Sequence, residues 1–196
     1  MQLARKSIFY LAFHPSGENS SPMFQSRFLT AILMVLIAAF SRILPHPPNF
    51  SPILAVSLFS GAYLMDKRLA YLVPIAAMFA SDLFLGLHAL MPVIYLLMVL
   101  FVFFGTRLSK SVTATKTLGF TLVSSVLFFF VTNLAVWLTS GMYSLDLTGF
   151  VSCFTLALPF FQNSLFGDFV YSGILFGAMM LLERTVFKSS IALSRI

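Results

Sequence analysis

The chain has 196 residues, 59% of them hydrophobic and 9% charged, with a formal net charge of +6 and a mean hydropathy of +0.97. This composition excludes a soluble domain and identifies an integral membrane protein. It also excludes a nucleic-acid partner as the reason for the positive charge, because the basic residues sit in short connections between apolar runs rather than on one patch.

Those runs are continuous rather than short and alternating, so a helical bundle is expected and a β-barrel is not. Residues 1–26 read as a cytoplasmic tail, disordered or not translated. Arg5, Lys6 and Ser7 precede an apolar run, Ile8 to Phe13, that is too short for a signal-peptide core, and Met23 is a candidate alternative start. Residues 27–188 should form one transmembrane domain, with 189–196 a cytoplasmic tail.

The expected spans are Phe28 to Leu44, Ile53 to Met65, Leu69 to Leu87, Leu90 to Phe104, Leu118 to Leu138 and Leu165 to Leu182. The second is short for a bilayer, which takes about 20 residues at about 1.5 Å each. Between the first two lies RILPHPPNFSP, residues 42–52. Its prolines fix φ and remove backbone donors, so no helix continues through it. The segment is nearly uncharged, and it reads as a re-entrant loop that completes the second span and lines a cavity. Ser51 and Pro52 look like an N-cap and a first helical residue.

Charge orders these spans. Arg5, Lys6 and Arg27 precede the first; Lys67 and Arg68 lie between the second and third; Arg107, Lys110 and Lys116 between the fourth and fifth; Arg184, Lys188 and Arg195 after the sixth. The connections around His46, His88 and Asp146 hold no lysine, and their only arginine is Arg42 at the edge of the first. The positive-inside rule then places both termini in the cytoplasm of a bacterial inner membrane. A further span through Phe150 to Phe161 would break that alternation, so this stretch is expected as a surface or re-entrant helix. Ser57 with Gly61, Ala76 with Ala80, Ala77 with Ser81 and Gly173 with Gly177 are spaced for close helix packing.

Within this topology the intramembrane polar residues all fall in the outer half. Asp82 needs a partner to offset roughly 2.5 to 3.5 kcal/mol of insertion cost, and Arg42 is the natural one. That pair either holds the bundle together or belongs to a site. Asp168 is weighed the same way, and Gly167 beside it would let backbone approach a ligand. His46, Asn49, Tyr95, Asn133, Trp137 and Asn163 complete the candidate binding set. His46 is either a loop residue bonded to a carbonyl or a ligand for a metal or cofactor. Trp137 fits an interfacial belt equally well, Cys153 reads as a small hydrophobe, and the 24 phenylalanines are mostly lipid-facing bulk. No phosphate loop, HExxH or GxSxG motif is present, no catalytic residue or cofactor is assigned, and any energised uptake needs a partner or a gradient.

The stretches RILPHPPNFSPI at 42–53, GAYL at 61–64, SDLFLG at 81–86, VTNLAVW at 131–137 and PFFQNSLFGD at 159–168 resemble an uncharacterised bacterial family of small membrane transport proteins. More remotely the chain is similar to the S components of energy-coupling factor vitamin transporters, including solitary proteins that carry vitamin B12. The resemblance implies an all-α, six-helix, S-component-like bundle that captures a vitamin or cofactor precursor on its outer face, alone or with an ATPase module. Relatives that dock on that module carry Ala-xxx-Ala in the first helix, whereas here Val35 follows Ala31 and Arg42 follows Ala38. Carriers of B12 can ligate cobalt through a cysteine near the outer end of the third and fourth helices, where this chain has Tyr95; His46 would be the candidate here. Two other classes stay open, a membrane-embedded enzyme using Asp82 or Asp168 as general acid or base, and a structural subunit of a membrane complex.

Overall fold

The computed structural model describes residues 22–187, with side chains for 25–186. Residues 1–21 and 188–196, which include the expected C-terminal tail 189–196, lie outside the described residues. Helix α1 spans Pro22–Phe40 and therefore begins inside the expected tail. It ends in a 3-10 turn, Ser41–Ile43. There follow α2, Ile53–Tyr63; α3, Lys67–Leu85; α4, Met91–Leu108; α5, Ala114–Thr139; and α6, Leu147–Leu182, which closes in a π turn. Among the described residues there is no strand. Five of the helices are long and apolar enough to cross a membrane, and α2 is the short sixth.

The bundle is built around α2. Its sequence is apolar on every face, which suits a helix enclosed by others, and each residue from Ile53 to Gly61 is buried. α1, α3, α4 and α6 all pack against it. Its serines bond to backbone, Ser57 to the Ile53 carbonyl at 2.8 Å and Ser60 to the Ala70 carbonyl at 2.7 Å, so burying them leaves no unmet donor. Gly61 meets Gly105 of α4 where the two helices cross. A Cβ on either would overlap the other helix's backbone, Val102 in one case and Leu58 in the other, so only glycine fits there.

Three expectations need correction. Gly173 and Gly177 have open space where a Cβ would go, and Ala76 is exposed; the same spacing that packs α2 faces away from the bundle at these positions. Phe150 to Phe161 is not a separate surface helix. It is the first part of α6, whose 36 residues run unbroken through Pro159 and reach about 54 Å at 1.5 Å per residue. The proline sacrifices one backbone bond without ending the helix, because a ladder of rings clamps this part of α6 to α5: Phe129 against Phe154 and Phe161, and Trp137 against Phe150. Lastly, Ser51 is no N-cap. Pro52 occupies that position without a side-chain bond, and the Ser51 hydroxyl is enclosed with no partner among the described residues.

Between the 3-10 turn and α2 the chain is non-helical, as the prolines require. A turn is closed by the Phe50 amide on the Pro47 carbonyl at 3.1 Å. Pro48 and Asn49 are its central residues, and Asn49 takes φ 62°, a conformation asparagine tolerates better than most residues. Phe50 then rests on Gly167, where a Cβ would lie 3.1 Å from the ring, and contacts the Phe166 and Tyr171 rings. Gly167 thus admits Phe50, not a ligand.

Candidate functional site

At the end of the bundle that carries the proline segment is a cavity of about 470 Å³. The segment supplies Arg42, His46, Asn49 and Ser51; the α3–α4 connection supplies Leu85, His88 and Leu90. The far wall consists of two helical stripes. On α5 these are Ser125, Phe128, Phe129, Thr132, Asn133 and Val136, and on α6 Ala157, Phe160, Phe161 and Ser164. Both follow the i, i+3, i+4, i+7 spacing of one helix face.

Four of the expected residues line this space: Arg42, His46, Asn49 and Asn133. Asp82 and Tyr95 stand behind the wall. The Arg42 guanidinium donates to the Asp82 carboxylate at 2.6 Å and to the Ser81 hydroxyl at 2.8 Å, and the Tyr95 hydroxyl donates to the other Asp82 oxygen at 2.6 Å. The side chains of the pair are only 12% and 5% exposed, so the network closes on itself inside the protein and fixes where Arg42 meets the cavity.

Asp168 also stands behind the wall, on the other side. Its single side-chain partner among the described residues is the Ser125 hydroxyl at 2.7 Å, and Ser125 lines the cavity. Asn163 and Trp137 do not line it. The Trp137 ring nitrogen donates to the Ser144 carbonyl at 2.9 Å, which pins the α5–α6 connection. Cys153 is buried, 3.6 Å from the Asn133 carbonyl.

The two ring nitrogens of His46 lie 3.0 Å from the Pro47 carbonyl and 3.1 Å from the Arg42 carbonyl. A neutral imidazole carries one N–H, so His46 donates to one of these two carbonyls, and that bond braces the proline segment. Among the described residues no three His, Cys, Asp or Glu gather into a group able to hold a metal ion.

Reading the sequence missed the α5 and α6 stripes, because the phenylalanines were taken for bulk facing lipid. Phe130 is, being 53% exposed, but its neighbours Phe128 and Phe129 turn inward. The signal was there in the hydroxyl and amide positions 125, 132 and 133, which share the face of Phe128 and Phe129.

A second cavity, about 480 Å³, lies at the other end of α2, where α1 starts and α6 ends. It is lined by Arg27, Tyr63, Lys110, Ser111 and Glu183, among others. An Arg27–Glu183 ion pair ties the first helix to the last there. Ile53 at one end of α2 lines the first cavity, and Ala62 and Tyr63 at its other end line the second.

With this geometry in view, comparison with known families gives a definite but bare answer. The chain belongs to a family of unknown function, DUF6580, matched over residues 23–191. No curated protein and no solved structure matches it. For a member of this family, the cavities and the buried carboxyls are therefore the basis on which a function has to be argued.

Proposed function

We propose that the protein is a membrane carrier, or the substrate-binding subunit of one, for a small vitamin-type molecule or cofactor precursor, bound in the proline-side cavity. The observation that carries this reading is the cavity itself: about 470 Å³, within the range of pockets that hold small ligands, with aromatic walls and a few convergent polar groups. Phe128, Phe129, Phe160 and Phe161 offer ring faces, while Arg42, Asn133 and Thr132 offer bonds that fix orientation. A flat, partly apolar ring bearing a carboxylate or amide matches that lining.

Lys67, Arg68, Arg107, Lys110 and Lys116 lie at the helix ends and in the connection on the side opposite the proline segment. The positive-inside rule puts that side in the cytoplasm and opens the proline-side cavity outward, as uptake at a bacterial inner membrane requires. The second cavity then faces inward, and α2, short, buried and reaching from one cavity to the other, would serve as the plug in alternating access. Neither Asp82 nor Asp168 lines the cavity, which favours binding over acid–base catalysis. A cobalt bond to His46 has no support in its geometry. Ala31 and Val35, the first-helix positions that correspond to the docking motif of S components, are fully buried in the chain's own core. That favours a solitary carrier over one docked on an ATPase module through this face.

The test is uptake into vesicles from cells producing the full chain, offered radiolabelled vitamins one at a time. Saturable uptake of one of them, lost in Asn133→Leu, supports the carrier. No uptake of any, with turnover of a compound that Asp82→Asn or Asp168→Asn abolishes, would instead assign an enzyme. Normal cell growth and assembly with every polar cavity residue changed to alanine would assign a structural subunit.

A further inference from the structure

The seam between α5 and α6 holds a second polar system that the carrier reading does not use. Thr117, Thr121, Ser124 and Ser125 on α5 and Asp168 and Ser172 on α6 are all buried. They form the rungs of an antiparallel ladder: Ser125 to Asp168 at 2.7 Å, and Thr121 to Ser172 at 3.1 Å one turn further on. Among the described residues the Thr117 and Ser124 hydroxyls are enclosed without partners, so the seam has hydrogen-bonding capacity to spare, and the state of its one carboxyl calls for a reason.

Counting hydrogens supplies one. Ser125 has a single hydroxyl proton and two acceptors, the Asp168 carboxyl at 2.7 Å and the Thr121 carbonyl at 2.9 Å. If Asp168 is ionised, the Ser125 proton goes to it, and a carboxylate sits in the membrane interior with one neutral donor and no cation. That arrangement is costly. If Asp168 holds a proton, it donates to Ser125, which donates in turn to Thr121, and both contacts are satisfied. Among the described residues no charged group bonds to it. On the elements packed against it, Arg42 is held by Asp82, Arg27 by Glu183, and His46 by a carbonyl; Lys116, Tyr63, Tyr171 and Cys153 form no bond with it among the described residues.

The seam also has direction. Ser125 is part of the wall of the proline-side cavity. From it the hydroxyls descend α5 to Thr117, near the start of that helix, while Ser172 leads along α6 toward Met179 and Glu183, which line the second cavity. Eight residues of helix, about 12 Å at 1.5 Å each, separate Thr117 from Ser125.

We propose that Asp168 is a reversible proton-binding site, linked through the Ser125 hydroxyl to whatever occupies the proline-side cavity. A proton from water adds to the carboxylate oxygen that faces Ser125, forming one O–H bond, and leaves to water by breaking it; nothing is oxidised or reduced. A ligand bonding to Ser125 from the cavity competes for the same hydroxyl, so ligand and proton occupancy depend on each other. In the carrier reading, on which this role rests, that dependence lets a proton gradient drive uptake.

The experiment needs no substrate, so it fails or succeeds separately from the carrier reading. Infrared difference spectra of the purified full chain are recorded as the buffer is stepped between alkaline and acidic. The expected result is a carbonyl band of a protonated carboxylic acid that rises on acidification, is lost in Asp168→Asn and shifts in frequency in Ser125→Ala. If Asp168→Asn does not fold, the Ser125→Ala shift carries the assignment. No pH-dependent band, or one unchanged in both variants, overturns the proposal.

Discussion

Two carboxyl groups enter the membrane part of this protein, and their surroundings have little in common. Asp82 sits at the meeting of α1, α3 and α4, with a guanidinium on one oxygen and a tyrosine hydroxyl on the other. Asp168 sits in the α5–α6 seam with a serine for company. Charge is matched in the first place and unmatched in the second. The contrast separates a carboxylate that pairs with Arg42 and holds it in position from a carboxyl whose one side-chain partner among the described residues is a hydroxyl. The cavity lies between them, reached from one side through Arg42 and from the other through Ser125.

That contrast can be broken most forcefully by removing one partner of the matched pair. Asp82→Asn leaves a buried guanidinium without its counter-charge and should cost about 3–5 kcal/mol, read as a drop in thermal stability in detergent. Arg42→Gln combined with Asp82→Asn should recover much of the loss. Asp168→Asn, at similar burial, should cost under about 1 kcal/mol, because the amide can still donate to Ser125. Equal losses at Asp82 and Asp168 would abolish the distinction.

The next effect concerns the frame that keeps the two corners apart. Gly105→Ala drives a methyl into α2's backbone and should cost about 1–3 kcal/mol. Gly177→Ala, of the same residue type but facing open space, should stay within about 0.5 kcal/mol.

The smallest effect lies outside the membrane at Asp146, which caps α6. The Gly149 amide, bonded to it at 2.7 Å, and the Ser144 hydroxyl at 2.8 Å hold its carboxyl below the usual carboxylate range. A carboxyl depressed in the folded state stabilises above its unfolded pKa, and that contribution is lost as pH falls through the lowered value. Hydrogen exchange at the first turn of α6 should therefore quicken in acid. In Asp146→Asn, which keeps a cap, it should be nearly independent of pH over that window.

Much of this was legible before any coordinates. Hydropathy and the placement of lysine and arginine gave the helices, and the prolines from Pro45 to Pro52 marked the break before the short α2. The cost of a charge in lipid singled out Arg42 as the partner of Asp82. What could not be read was direction around a helix axis where every face is apolar. Phe128 and Phe130 are alike in composition, yet one lines the cavity and the other faces out. The length of α6 was also hidden, since Pro159 argues for a break locally and only the ring contacts with α5 override it. Ser57 with Gly61 could not be told apart from Gly173 with Gly177 for the same reason: spacing shows that a face is smooth, and only a partner helix shows that it is used.

The claim on which the account turns is that the proline-side cavity holds a small molecule. Native mass spectrometry of the chain purified from membranes tests it directly, beside Ser164→Trp, whose indole would intrude on the space from the α6 wall. The account predicts a bound mass of a few hundred daltons on the wild-type protein, displaced by one vitamin from a panel and absent from a folded Ser164→Trp. A ligand retained equally by both proteins, or none on the wild type with every vitamin of the panel added, would contradict it.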